Sequence, residues 1–115
     1  MRVLVLEPMR EPYAKEIDGS LESMKEIVGG WIETVYPTHP DEAVIVCNEE
    51  GKLMGLPWNR ELKINDRTFD IVAGTCFICN APADEEDFTG LTDEQIAYYT
   101  DYYKKPVIGF DLFSM

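Results

Sequence analysis

The sequence predicts an α+β domain: a mixed, mostly antiparallel sheet of about five strands with two helices packed on one face. Three observations carry this. Runs rich in Val, Ile, Leu and Cys recur at 2–6, 43–47 and 70–79. Turn-forming residues separate most of the strand-like runs over short distances, as antiparallel connections require. Two other segments, after Ser20 and after Thr92, begin with helix-capping residues and continue with apolar residues at helical spacing.

The elements follow in order. Arg2 to Leu6 reads as a strand ended by Glu7-Pro8, and the polar stretch from Met9 to Gly19 reads as a connection. Ser20 can cap a helix through its hydroxyl. Leu21, Met24, Ile27 and Val28 then form one apolar face, and Gly29-Gly30 closes the helix. A phosphate cradle would need those glycines after a strand and before a helix, and here the order is reversed.

Trp31 to Tyr36 is β-prone. Alternation puts Trp31, Glu33 and Val35 on one face and Ile32, Thr34 and Tyr36 on the other. Neither face is clearly polar, so the sequence leaves Glu33 either buried with a raised pKa and a partner, or ordinarily solvated. Pro37-Thr-His-Pro40 is a loop. Ala43 to Cys47, continuously apolar, predicts a central strand covered on both faces. Asn48 to Lys52 reads as a hairpin loop with Leu53 to Leu56 as the returning strand.

Leu62 and Ile64, then Phe69 and Ile71, flank Asn65-Asp66 and predict a second hairpin. Asp70 to Cys79 reads as the longest strand, with Gly74 marking a bulge or a close backbone approach. Ala81 to Gly90 is an acidic loop. Thr92 and Gln95 occupy the reciprocal positions of a capping box opening a helix to about Lys104, where Lys104 and Lys105 suit the negative end of its dipole and Pro106 stops it. Val107 to Phe113 reads as a last short strand or a docked tail.

The 115 residues fit a single domain, 1–115, and the 45% apolar content supplies a core, which sets disorder aside. With 22 acidic against 10 basic residues the formal charge is −12. Such a chain lacks the cations that direct contact with nucleic acid or an anionic membrane requires, and it admits basic partners. The N-terminal apolar run is four residues, short of the roughly 7–15 of a signal-peptide core. No stretch approaches the roughly 18 apolar residues of a membrane span, so a cytoplasmic location is expected. The three cysteines, Cys47, Cys76 and Cys79, all lie in apolar runs and read as reduced, buried thiols.

Four segments, V-G-G-W-I-E-T-V (28–35), N-E-E-G-K-L-M-G-L-P-W-N (48–59), D-I-V-A-G-T-C-F-I (70–78) and G-L-T-D-E-Q (90–95), together resemble the DUF3846 family, a domain of unknown function. The resemblance spans nearly the whole chain. It implies an accessory protein of bacteriophages, plasmids or other mobile elements. No catalytic residues come with it, and Trp31 and Trp58 are not taken as family signatures.

Each candidate chemistry has a structural counterpart. Cys76-Phe-Ile-Cys79 has zinc-ligand spacing, and Cys47 with His39 could complete a set. In an extended strand, however, Cys76 and Cys79 face opposite ways, so no metal site is expected. A redox pair would need a strand-to-helix setting that is absent. His39, the single histidine, sits in a P-T-H-P loop with no nucleophile elbow near it. Glu33 with Asp70 is an imaginable carboxylate pair whose separation the sequence leaves open.

The acidic C-terminal region is the most informative surface. Asp84, Glu85, Glu86, Asp87, Asp93, Glu94 and Asp101 fall in 18 residues without a Lys or Arg. Ile96, Tyr99 and Tyr103 form one helical stripe, and Tyr98 with Tyr102 a neighbouring one. The structural reading is a solvated loop and a wide buried face. The functional reading is a protein-binding surface made of Asp84, Glu85, Glu86, Asp87, Asp93, Glu94, Tyr98 and Tyr102.

The leading expectation is therefore a non-enzymatic protein-binding module, acting on a basic or nucleic-acid-binding host protein and using no cofactor. A first alternative is a small-ligand pocket formed by Trp31, Glu33, Trp58 and Asn59. A second is a hydrolase with buried carboxylates.

Overall fold

The computed structural model describes residues 1–35 and 41–107. Its elements are β1 (Arg2–Leu6), β2 (Tyr13–Glu16), α1 (Leu21–Val28), β3 (Ile32–Val35), β4 (Ala43–Asn48), β5 (Trp58–Ile64), β6 (Arg67–Ala73), β7 (Cys76–Asn80) and α2 (Asp93–Tyr102). Five strands form one sheet in the order β2-β1-β7-β4-β3, and β5 and β6 form a separate two-stranded sheet. Every pairing is antiparallel. The expected α+β class, five-stranded sheet and two helices are all present.

The arrangement of the helices corrects the sequence reading. Along β1, Val3 and Val5 enter a core with Met24 and Val28 of α1, while Leu4 and Leu6 enter a different core with Tyr99 of α2 and Tyr103, which caps its C-terminal end. One helix covers each face. The physical reason is that β1, β4 and β7 are apolar on both sides, and two helices on one face would leave the other wet. Leu62 of β5 and Val72 of β6 join the core on the α2 side, so the hairpin and α2 share that face.

Both helix starts form as their sequences dictate. The Ser20 hydroxyl accepts from Ser23 N at 3.1 Å, and Gly29 closes α1 at φ 80. Thr92 and Gln95 make the reciprocal capping box. Asn65 and Asp66 both have positive φ, as a tight two-residue hairpin turn between β5 and β6 requires.

Three other expectations are corrected. The polar connection after Met9 contains β2, an edge strand whose four side chains are all exposed, so no apolar pattern announces it. Leu53 to Leu56 is a turn and not a strand, because both flanks of β4 are already taken by β3 and β7. The long strand from Asp70 breaks after Ala73, where Gly74 takes φ +83 and the chain passes from one sheet to the other. A Cβ at Gly74 would lie 2.6 Å from Leu56 Cδ1. The loop bearing His39, and the tail expected from Val107 to Phe113 beyond residue 107, lie outside the described residues.

Candidate functional site

The outer face of α2 is set by its inner one. Tyr99 and Tyr103 are buried, and their rings stack at 6.3 Å between centroids. Helical spacing then turns Tyr98 and Tyr102 outward. Their rings stack on each other at 6.1 Å and 25°, and each is about half exposed (51% and 49%). Glu94 lies one turn before Tyr98 on the same face and is exposed, as are Asp93 and Asp101. Asp93 is engaged, ion-paired with Arg2 of β1.

The acidic loop is fastened at both ends. Asn80 and Thr89 exchange backbone hydrogen bonds at 2.9 Å, and Asn80 Nδ2 donates to Gly90 O and to Gln95 Oε1. Phe88 packs on the α1-side core. Asp84, Glu85, Glu86 and Asp87 between these anchors are all exposed. The capping residue Gln95 thus ties the base of the loop to the first turn of α2, placing the two acidic segments next to one another.

The four residues of the expected pocket are placed differently. Trp31 is 60% exposed at the entry to β3, with Lys25 Nζ 3.7 Å above its ring. Glu33 is exposed on that edge strand, opposite Cys47. Trp58 begins β5 in the other sheet, half-buried. Asn59 is fully buried, donating to Leu6 O at 2.7 Å and Gly74 O at 2.9 Å. Its amide links the two sheets.

Residue 60 is the feature the sequence reading missed. Arg60 is 1% exposed. Its Nε donates to Tyr103 O at 2.7 Å, at the end of α2, and its Nη1 donates to Asn59 Oδ1 at 2.7 Å. Further bonds reach the carbonyls of Arg10 (2.5 Å), Asn59 (3.2 Å) and Glu7 (3.4 Å). Among the described residues no carboxylate pairs with it. Burial lowers its pKa, but a guanidinium remains charged. Its alternation within β5 was the available signal: Arg60 shares a face with buried Leu62.

The cysteines are core residues. Cys76 lies in the α2-side core and Cys79 in the α1-side core, so the C-x-x-C pair is split by the sheet as an extended strand requires. Burial pushes the Cys47 thiol up to about 11, assisted by the negative charges of Glu33 and Asp70. Burial also pushes Cys79 up to about 12 and raises Cys76. Such thiols are poor nucleophiles and poor metal ligands.

A family model described as Domain of unknown function (DUF3846) matches residues 1–104. The chain belongs to the DUF3846 family. All nine elements of the structure fall inside the matched stretch. No match was found among curated proteins or among solved structures.

Among the described residues of this DUF3846 domain, no buried carboxylate is present for the hydrolase reading. The buried polar and charged residues among those described are Asn48, Asn59 and Arg60, and none is an acid. Glu33 is solvated, and Asp70 is ion-paired with Lys52. Carboxylates cost too much to bury without a cation or several donors, and the buried cation among the described residues, Arg60, is satisfied by carbonyl oxygens. No group of three or more His, Cys, Asp or Glu able to hold a metal occurs among the described residues. No helix among them is long and apolar enough to cross a membrane.

Proposed function

We propose that this DUF3846 protein is a non-enzymatic binding module, an accessory protein of a phage or mobile element. It acts in the cytoplasm on a basic host protein, of the kind that normally binds nucleic acid. The observation that carries this reading is the outward stack of Tyr98 and Tyr102 on α2, bordered by Glu94 and Asp101. Paired tyrosines offer large, stiff, amphipathic contact area, the residue type that dominates binding energy at protein interfaces. The fastened loop bearing Asp84, Glu85, Glu86 and Asp87 adds a field that steers a cationic partner toward them. In this division of labour the tyrosines hold the partner and the acids speed its arrival.

The test is capture of host proteins on the tagged chain at low and moderate salt, beside two variants. One changes Asp84, Glu85, Glu86 and Asp87 to their amides, and the other is Tyr98→Ala/Tyr102→Ala. A basic protein retained by the native chain, lost by the tyrosine variant and weakened by the amide variant supports the reading. Equal capture by all three chains defeats it.

A further inference from the structure

A second feature lies at the other end of α2 and is independent of the acidic loop. A cleft of about 790 Å³ opens between the β5–β6 hairpin and the C-terminal end of α2. That volume falls within the ~300–1,000 Å³ of small-ligand sites. Arg60, Lys63, Lys104 and Lys105 line it, four of the ten basic residues in a chain of charge −12. Glu61, Asp66 and Asp101 also line it, and Glu61 is taken up by Lys63 at 3.7 Å. Tyr102, Pro106 and Val107 supply the apolar wall.

Arg60 gives the cleft its character. All five of its hydrogen bonds to described residues end on neutral oxygens, so its positive charge has no counter-ion among them. A buried charge is screened far less than an exposed one and projects its field into the space beside it. Lys104 and Lys105, exposed just beyond the end of α2, bring two mobile ammonium groups to the same space.

We propose that this cleft binds a small phosphate-bearing anion of nucleotide size. Lys104 and Lys105 contact the phosphate, Arg60 attracts it from beneath without touching it, and the apolar wall at Pro106 and Val107 borders the ligand's planar group. A chain of charge −12 repels anions at long range, and the four cations lining the cleft exceed its three carboxylates by only one, so an anion held here depends on Lys104, Lys105 and the field of Arg60. A phosphate gains more from two ammonium groups than a single carboxylate does, and lysine suits it as a point charge with rotatable donors.

The test is calorimetric titration of the full chain at low salt with adenosine monophosphate, inorganic phosphate and adenosine. Adenosine monophosphate is expected to bind, with phosphate competing and adenosine binding more weakly. Lys104→Gln/Lys105→Gln should weaken the nucleotide at least about tenfold, or about 1.4 kcal/mol. Both lysines are exposed, so melting should be unchanged. Lys15→Gln/Lys25→Gln removes the same charge elsewhere and should leave binding intact. No binding of nucleotide or phosphate at about 1 mM, a total of only about −4 kcal/mol, would overturn the proposal. So would equal weakening in both double variants, or adenosine binding as tightly as its phosphate.

Discussion

The hydroxyl of Tyr99 donates to Asp41 Oδ1 across 2.7 Å, joining the buried face of α2 to the residues that lead into β4. Asp41 also accepts from Ala43 N at 2.9 Å and from Gln95 Nε2 at 3.0 Å. Tyr99→Phe therefore removes one bond and leaves the carboxylate with acceptable partners. It should cost about 1 kcal/mol, the net worth of a typical hydrogen bond. Tyr99→Ala also opens a cavity in the α2-side core and should cost about 3–5 kcal/mol. Urea midpoints of the two variants check the ratio, and similar losses would mean that the ring contributes little to packing.

The same tyrosine belongs to a group of buried acids that should make the fold alkali-sensitive. Burial raises Tyr99, helped by its bond to Asp41, and burial raises Tyr103. Burial likewise lifts Cys47 to about 11 and Cys79 to about 12. In the unfolded chain a cysteine titrates near about 8.5 and a tyrosine near about 10. A raised folded pKa means that the folded state holds its proton longer. The stabilisation is then whole below the unfolded pKa and is lost as pH rises through the folded one. Stability should hold constant from neutrality to about pH 8 and fall steadily above about pH 9. Urea denaturation at a series of pH values reads this directly. A flat profile to about pH 11 would show these groups to be solvated.

Much of this fold is legible in the sequence, and the exceptions share a cause. β1, β4 and β7 announce themselves because they are buried on both sides, and their apolar runs are continuous. The turn at Asn65-Asp66 and the caps at Ser20 and Thr92 are local chemistry, complete within a few residues. β2 is invisible because an edge strand with four exposed side chains has no pattern to show. The placement of α1 and α2 on opposite faces depends on which strands neighbour each other, which no local window contains. The site divides the same way. That Tyr98 and Tyr102 face outward follows from helical spacing. The burial of Asn59 and Arg60 depends on partners far along the chain, Leu6, Glu7, Arg10 and Tyr103.

Arg60 should be the most sensitive charged residue in the molecule. Its guanidinium satisfies the Tyr103 carbonyl at the end of α2 and the carbonyls of Glu7 and Arg10 between β1 and β2. Arg60→Met fills much of the volume but strands the Tyr103 carbonyl and the Asn59 amide oxygen in a buried site, and it frees the part-buried carbonyls of Glu7 and Arg10. A loss of about 3 kcal/mol or more is expected. Arg60→Lys keeps the charge but replaces a planar fork of five donors with a single ammonium, and it should recover less than half of that loss. Chemical denaturation ranks the three chains. A fully stable Arg60→Lys would show that charge at this position matters and donor geometry does not.

The three thiols should be silent in the folded protein. Cys76 and Cys79 are wholly buried on opposite faces of β7, and Cys47 is 5% exposed on β4. A thiol reacts as its thiolate, and burial in apolar surroundings suppresses that form at all three positions. A disulfide reagent at neutral pH should therefore modify none of them at the rate of a free cysteine and all three once the chain is unfolded. Because β4 and β7 are central strands, exposing these thiols requires opening the sheet itself. Labelling should then slow in step with every stabilising change and quicken with Tyr99→Phe. A single fast-reacting thiol in the native protein would place that cysteine at a surface and would break the link between its reactivity and the opening of the core.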